Sequence, residues 1–285
     1  MSADNLVELQ EVHKSFIIGE EEVEIVHGIS FKISSGDFLV IFGPSGCGKS
    51  TTLHIILGLE PPTSGKVTFL GKDLYSFTPD ERAAIRKKHV GMVYQQANWI
   101  KSLNVIDNVA FPLTLTGMSK SERDKKAVEV LEMVEMADRV KQFPTELSAG
   151  QQQRIALARA LVSDPELIIA DEPTGNLDSK ASEEMMGLFK KLNQEEKRTI
   201  VMVTHDLEYL KYATRAVNII DGKIAGEYKE GDKELDGKMI SKRGHVSATV
   251  SSAREKEEIT EIIKSTKDQK PNQKTEKKGQ GSKLT

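Results

Sequence analysis

The nine residues from Gly43 to Thr51 read GPSGCGKST and combine three glycines with one lysine and three hydroxyl side chains. The glycines let backbone N–H groups wrap phosphates, Lys49 can neutralise phosphate charge, and the Ser50 hydroxyl can ligate Mg²⁺. An apolar run, DFLVIF, precedes the segment and a helical run, TLHIILGL, follows it, as a phosphate-binding loop requires. A plain strand-to-helix turn is the alternative. We therefore predict a nucleotide-binding loop made of Gly43, Pro44, Ser45, Gly46, Cys47, Gly48, Lys49, Ser50 and Thr51.

Two adjacent carboxylates, Asp171 and Glu172, form a second candidate group at the end of the apolar run LIIAD. Ligands of parallel sheets bind at the carboxyl ends of the strands, which places both acids where they could act. Asp171 can hold Mg²⁺ directly or through water, and Glu172 can act as a general base on an attacking water. A solvated strand end is the alternative, and the phosphate-binding loop upstream favours catalysis.

A histidine, His205, follows another apolar run, TIVMVT, so that its imidazole belongs to the same edge of the sheet. It could contact the γ-phosphate of a nucleotide, although a histidine after a strand is often a capping or packing residue. The predicted catalytic residues are therefore Lys49, Glu172 and His205.

The segment ELSAGQQQR, from Glu146 to Arg154, predicts an exposed helix start. Ser148 is a suitable N-cap, and Gln151 stands where the partner of a capping box belongs. Such a helix end presents free N–H groups and partial positive charge, which suit an anion. No lysine stands beside it, so the segment looks like half of an anion site.

Composition indicates a globular protein, with 38% hydrophobic residues, 29% charged residues and a formal net charge of −3 over 285 residues. No global basic field favours nucleic acid as a partner. The apolar stretches fall far short of the ~18 residues that a membrane-spanning helix needs. The N-terminus lacks a leader pattern, and the single cysteine cannot form an internal disulfide, which together indicate a reducing cytoplasm.

Two kinds of predicted strand would position the candidate residues named above. Apolar and polar residues alternate along three segments near the N-terminus, VELQEVHKSF, EVEIVHGISFKI and GKVTFLGKDL, and this alternation predicts antiparallel strands. Continuous apolar runs, which are typical of parallel strands buried on both faces, occur in DFLVIFG, VGMVY, LIIAD and TIVMVTH.

We expect one folded domain over residues 1–240, with a helical insertion at about 97–157, and a disordered lysine-rich tail over 241–285.

Taken together, GPSGCGKST, ELSAGQQQR, LIIADEP and TIVMVTHD occur in the order found in ATP-binding-cassette ATPases, and the chain resembles that family from Leu6 to about Tyr228. The resemblance implies an α/β P-loop NTPase fold with a RecA-like parallel-sheet core, an N-terminal antiparallel β subdomain and an inserted α-helical subdomain. It also implies Mg²⁺-dependent ATP hydrolysis. In the family two nucleotide-binding domains pack head to tail, and each signature helix faces the γ-phosphate held by the partner, which would supply the missing half of the anion site.

The family signature LSGGQ reads LSAGQ in this chain, with Ala149 in place of the usual glycine. By resemblance, the residues that contact nucleotide across the dimer are Ser148, Ala149, Gly150 and Gln151.

Three further residues match single family positions. Gln95 corresponds to the Q-loop glutamine that senses Mg²⁺ and the attacking water, so the implied metal-binding residues are Ser50, Gln95 and Asp171. Phe16 corresponds to the aromatic residue that stacks on adenine, and Asp178 to the D-loop aspartate that crosses the dimer. The alternatives are a polar strand end for Gln95, a half-buried strand residue for Phe16 and a plain turn for Asp178.

DEPTGNLD and GEEEVEIVHGIS look most like the branch that serves macrolide exporters, lipoprotein-releasing complexes and the FtsE–FtsX cell-division pair. This resemblance implies a homodimer on the cytoplasmic face of the cell membrane that powers a separate FtsX- or MacB-type permease for export or lipoprotein extraction. Trp99 lies where the family docks a permease coupling helix, although burial within the helical subdomain would explain it equally well.

The sequence favours some alternative functional classes more than others. A signalling subunit that activates an extracytoplasmic cell-wall hydrolase through its permease, without transport, stays a full alternative. A DNA-repair ATPase is disfavoured because no sustained heptads occur between Phe16 and His205. A two-cassette translation factor is disfavoured because the chain has one P-loop.

Overall fold

The computed structural model describes residues 5–232 of the chain. The tail expected over residues 241–285 lies outside them. Within the described part, one antiparallel sheet and one largely parallel sheet carry the fold.

The antiparallel sheet contains the strands that alternation in polarity predicts. A long hairpin joins β1 (Asn5–Ile18) to β2 (Glu21–Ser34), and β1 also pairs antiparallel with β4 (Ser64–Phe69), which pairs with β5 (Lys72–Asp73). The order across the sheet is β2-β1-β4-β5.

The second sheet contains all four predicted buried strands. Its members are β3 (Phe38–Phe42), β6 (Val90–Tyr94), β7 (Leu167–Asp171), β8 (Thr199–Thr204), β9 (Arg215–Ile220) and β10 (Lys223–Lys229). In the order β10-β9-β3-β8-β7-β6 every neighbouring pair is parallel except β10 with β9. The predicted strands did not include β9, although its sequence RAVNII is mostly apolar and it lies directly beside β3.

The helices are α1 (Lys49–Ile56), α2 (Pro79–His89), α3 (Val105–Ala110), α4 (Lys120–Met133), α5 (Ala149–Leu161) and α6 (Ser179–Gln194). Helices α3, α4 and α5 lie between β6 and β7 in the chain, so the helical insertion divides the parallel sheet as predicted. The capping box predicted at Ser148 forms and begins α5, and a second capping box, Thr78 with Glu81, begins α2.

Two apolar cores cover the two faces of the parallel sheet. Because side chains alternate along a strand, Phe38, Val40 and Phe42 of β3 enter the core built with α4, α5 and α6. Leu39 and Ile41 enter the opposite core, shared with the antiparallel sheet and α1. This packing fixes the carboxyl ends of β3, β7 and β8 along one edge. Between residues 5 and 232, no helix has both the length and the apolar character needed to cross a membrane.

Candidate nucleotide-binding and hydrolysis site

The loop from Gly43 to Thr51 joins the end of β3 to the start of α1. A Cβ atom on Gly43 would collide with the carbonyl oxygen of Ile219 at the end of β9. Gly48 has a φ of +96°, and a Cβ atom there would lie 2.9 Å from the carbonyl oxygen of Ile25. Close backbone packing therefore requires glycine at both positions, and the turn between β9 and β10 supports the loop, with Gly222 N donating to Cys47 O at 3.1 Å.

The ammonium of Lys49 lies inside this loop. Its Nζ donates to the carbonyl oxygens of Gly43 and Pro44 at 2.9 and 2.8 Å, and the residue is 7% exposed. These acceptors are neutral, whereas a phosphate group carries negative charge and would attract the same cation more strongly. Lys49 therefore fits the predicted role of phosphate ligand.

The adjacent acids stand at the carboxyl end of β7. Glu172 has a φ of +47°, in a region that costs a non-glycine residue roughly 1–3 kcal/mol. Its backbone N–H donates to Val203 O at 2.9 Å on β8, which helps to hold this conformation. Strained residues of this kind cluster at functional sites.

The carboxylate of Glu172 is held by the residues that follow β8. His205 Nδ1 lies 2.8 Å from Glu172 Oε1, and the backbone N–H of His205 donates to the same oxygen at 3.1 Å. Thr204 Oγ1 donates to Glu172 Oε2 at 3.4 Å. The Glu172 side chain is 21% exposed and that of His205 is 62% exposed, so the pair has a buried and a solvent-facing end.

The residues predicted to bind Mg²⁺ fit a hard divalent cation. Burial raises the pKa of the Asp171 carboxyl, and the neighbouring Glu172 carboxylate raises it further, while His54 and Lys49 lower it. A divalent cation beside Asp171 would favour its charged form. The Asp171 carboxylate, the exposed Ser50 hydroxyl and the Gln95 amide oxygen are the hard oxygen donors that Mg²⁺ prefers.

Gln95 is exposed just after β6 and is tied to the loop that follows Glu172. A Cβ atom on Gly175 would lie 2.5 Å from Gln95 Nε2, and Asn176 Nδ2 donates to Gln95 O at 3.1 Å. This packing connects the strand end before the helical insertion with the strand end that carries the acids.

The predicted signature residues lie at the start of α5. Ser148 N donates to Gln151 Oε1 at 3.0 Å, and Gln151 N donates to Ser148 Oγ at 3.3 Å. Ser148 and Ala149 are exposed, and with Gly150 and Gln151 they line an open cavity of about 450 Å³. Within the described residues, the lining of this cavity includes no member of the phosphate-binding loop. The structure thus presents the helix end to solvent, as predicted.

Asp178 has a structural role within the chain. Its Oδ1 accepts a hydrogen bond from Ala181 N at 2.8 Å, which makes it the N-cap of α6. It also lines the cavity at the signature helix. The predicted contact across a dimer stays a prediction.

Phe16 lies on β1, paired with Val23 of β2. Its ring is half-buried, and Lys14 Nζ lies 4.6 Å from the ring centroid. Lys14 is itself buried, with Nζ 2.6 Å from Glu60 Oε1 and 2.9 Å from Pro61 O. The cation therefore holds one side of the ring through a cation–π contact.

Trp99 is packed within the helical region and also faces a cavity, and its predicted contact with a permease stays a prediction. Its indole N–H donates to Gln152 Oε1 at 3.0 Å, and the Arg159 guanidinium lies 4.8 Å from its ring centroid. Trp99 also lines an open cavity of about 510 Å³ beside Gln95 and Gln152. It is thus packed against the helical region and accessible from a cavity.

Sequence reasoning missed the side chains that follow Gln151 on α5. Gln152 bonds Trp99, whereas buried Gln153 donates to Tyr94 O at 2.7 Å, at the end of β6. The available signal was the run of glutamines itself, because successive helical residues point about 100° apart and meet different neighbours.

A protein-family comparison agrees with this geometry. The family model for the ABC transporter matches residues 26–175. The fold and site define a P-loop ATPase, and the chain belongs to the ABC transporter ATP-binding family.

Two relatives show the range of architectures that contain such a domain. A macrolide export ATP-binding/permease protein MacB of Syntrophobacter fumaroxidans is 43% identical over 225 residues, covering 78% of this chain but 32% of that relative. This chain therefore spans about a third of the length of that MacB protein. An uncharacterized ABC transporter ATP-binding protein of Thermotoga maritima is 44% identical over 226 residues, covering 79% of this chain and 96% of the relative.

The ATP-binding cassette MJ0796 of Methanocaldococcus jannaschii is a similar solved structure, with a TM-score of 0.72 and 41% identity. The match covers 78% of this chain and 98% of that one. MJ0796 was solved as a dimer in a post-hydrolysis state bound to ADP and Pi. The predicted P-loop NTPase fold is confirmed, and the protein is an ABC-type ATPase.

Proposed function

We propose that this chain is the ATP-hydrolysing subunit of a transporter with a separate FtsX- or MacB-type permease. It would act on the cytoplasmic face of the membrane and power export or the extraction of a lipoprotein or other substrate. The observation that carries the proposal is the alignment of Lys49, Asp171 and Glu172 along one sheet edge, with the signature residues exposed at a separate cavity. The MacB relative supports the choice of permease type.

Each side chain at the sheet edge has a defined task. Lys49 and the loop N–H groups bind the β- and γ-phosphates. Asp171, Ser50 and Gln95 would hold Mg²⁺, which when bound supplies positive charge to the transferring phosphoryl group.

The catalytic pair activates water. Glu172 accepts a proton from the attacking water, and the two hydrogen bonds from His205 orient the carboxylate that accepts it. The exposed part of the imidazole is free to contact the γ-phosphate.

The site is completed by a second copy of the chain. The N-terminus of α5 is exposed, capped and turned to an open cavity, which suits an anionic ligand held by another subunit. We infer a head-to-tail homodimer in which Ser148 and Gly150 of one copy contact the γ-phosphate bound by the other. Binding of two ATP molecules closes this dimer, and hydrolysis reopens it.

The cavity at Trp99 is where we place the permease contact. It is the right size for one or two anchoring side chains, and Gln95 and Gln152 on its wall connect it with the Mg²⁺-binding and signature regions. No nucleic-acid partner is proposed, because the charge balance offers no basic field.

The proposal is tested by reconstituting the chain with an FtsX- or MacB-type permease from the same organism. ATP-dependent substrate movement in vesicles, lost in Glu172→Gln, is the expected result. ATP-dependent activation of an extracytoplasmic hydrolase without movement of cargo would instead identify a signalling subunit. ATPase activity that does not respond to the permease would contradict both.

A further inference from the structure

Arg154 lies one helical turn beyond the signature residues and joins three parts of the structure. Its Nη1 donates to Glu135 Oε2 at 2.8 Å, in the loop after α4. Its Nη2 donates to Glu184 Oε2 at 2.7 Å, on α6. The Arg154 side chain is 14% exposed, so the guanidinium is largely enclosed between α5 and these two acids.

A close helix contact stands one turn before this ion pair. A Cβ atom on Gly150 would lie 3.0 Å from Ala181 Cβ, so the first turns of α5 and α6 nearly touch. Gly150 and Arg154 are four residues apart on α5, and their partners Ala181 and Glu184 are three residues apart on α6, so the helices are joined at successive turns. The first joint, Gly150 against Ala181, is a packing contact, and the second joint, Arg154 with Glu184, is an ion pair.

These two joints fix the relative position of the two segments that line the signature cavity. Ser148 begins α5 and Asp178 begins α6. Near the start of α6, Glu184 also pairs with Lys180 of the same helix at 4.0 Å and Glu183 pairs with Lys211 at 3.7 Å, but neither of these ion pairs joins α6 to α5. A guanidinium suits the second joint, because its rigid fork reaches two carboxylates at once, which an ammonium cannot do with the same geometry.

We propose that Arg154 is a positioning residue for ATP hydrolysis, which sets the signature helix start against the start of α6 through Glu184 and Glu135. This inference rests on the proposed function, since it presumes that the signature residues act on a nucleotide. The P-loop makes none of these contacts, so nucleotide capture by one copy does not depend on Arg154. Hydrolysis does, because displacement of a catalytic group by about 1 Å can reduce rates roughly 100-fold.

The test uses the full chain and measures kcat, KM and nucleotide affinity for Arg154→Gln, Glu184→Gln and the double variant. We expect each single variant to lower kcat by about tenfold or more with nucleotide affinity unchanged. The double variant should be no slower than the slower single variant, because Arg154→Gln already removes the contact with Glu184. Arg154→Lys should show an intermediate kcat.

A matched control is Lys120→Gln, which also removes a cation from two carboxylates, Asp107 and Asp124, each 3.0 Å from Lys120 Nζ. Its kcat should equal that of the wild type. If Arg154→Gln does not fold, Glu184→Gln carries the test, because it leaves Arg154 paired with Glu135.

Three outcomes overturn the inference: wild-type kcat in Arg154→Gln, additive losses in the double variant, or parallel losses of kcat and nucleotide affinity. Ser148→Phe is measured alongside. If that variant hydrolyses ATP normally, the shared site of the proposed function is wrong. If it is inactive while Arg154→Gln is fully active, only the role of Arg154 is wrong.

Discussion

Glu172 and His205 are joined twice, since one carboxylate oxygen accepts both the imidazole Nδ1 contact at 2.8 Å and the backbone N–H at 3.1 Å. The backbone bond persists whatever the ring does, so the carboxylate stays at the strand edge. The hydrogen bond from the imidazole ring also fixes the orientation of the carboxylate. The pair therefore separates two tasks, placement of the base by the main chain and its orientation by the side chain.

Glu172→Gln removes the general base and keeps the shape of the side chain. We expect kcat to fall by about 10²–10⁴-fold, the range that general-base catalysis contributes. ATP should still bind, and an ATP-bound dimer should accumulate on size-exclusion chromatography with Mg²⁺. Wild-type turnover in this variant would remove Glu172 from the mechanism.

His205→Ala removes orientation but leaves the backbone N–H bond to Glu172 in place. The expected result is a lower kcat with little change in KM, because placement of substrate by Lys49 is untouched. Steady-state kinetics on purified protein distinguish this from a binding defect. A rise in KM with an unchanged kcat would assign His205 to ground-state binding instead.

Ser148→Phe blocks the exposed helix end with a bulky side chain. Hydrolysis should be lost, whereas nucleotide binding to the monomer should persist because the phosphate-binding loop is unchanged. Loss of the cap costs about 1 kcal/mol of stability in its own right.

Ser119→Phe provides the control for this loss of a cap. Ser119 caps α4 with the same capping box, through Glu122, but lies outside the predicted site. The Ser119→Phe variant should retain ATPase activity while its free energy of unfolding falls by a similar amount. Collapse of monomer binding in Ser148→Phe would contradict the shared-site interpretation.

Asp171→Asn is expected to stabilise the nucleotide-free protein while weakening its response to Mg²⁺. Burial and Glu172 raise the pKa of Asp171 in the folded state, so the folded state holds its proton to higher pH than the unfolded state does. As pH rises above the ordinary aspartate value of about 4, the charged carboxylate therefore lowers the free energy of unfolding. Asparagine carries no such charge.

Thermal unfolding at neutral and acidic pH checks this prediction. The variant should unfold at a higher temperature than the wild type at neutral pH, and the difference should shrink at acidic pH, where both states of the wild type are protonated. The stabilisation that ATP with Mg²⁺ gives the wild type should be smaller in the variant. Equal unfolding temperatures at neutral pH would contradict the electrostatic account.

Local patterns predicted most of the fold because they depend on neighbours in sequence. The capping boxes at Thr78 and Ser148 need only residues three positions apart, and the buried strands need only continuous apolar runs. The position of β9 beside β3 depends on tertiary pairing, which such patterns do not encode.

The candidate site follows the same division. Lys49, Asp171 and Glu172 were predictable because strand ends converge at one sheet edge. The contacts of Gln152, Gln153 and Arg154 were not, since helical spacing shows only that their directions differ. Which strand end, ring or carboxylate each side chain meets is decided by how α5 packs.

The packing of Ile219 and Gly222 against the phosphate-binding loop has a consequence for biosynthesis. The loop is encoded early in the chain, yet its backbone is supported by residues about 175 positions later, a separation far greater than one folding motif. A nascent chain still attached to the ribosome would thus carry the complete loop sequence without its support. Nucleotide binding should begin only once β9 and β10 have emerged from the ribosome. ATP can therefore stabilise the completed domain, but it cannot assist the folding of the first half of the chain.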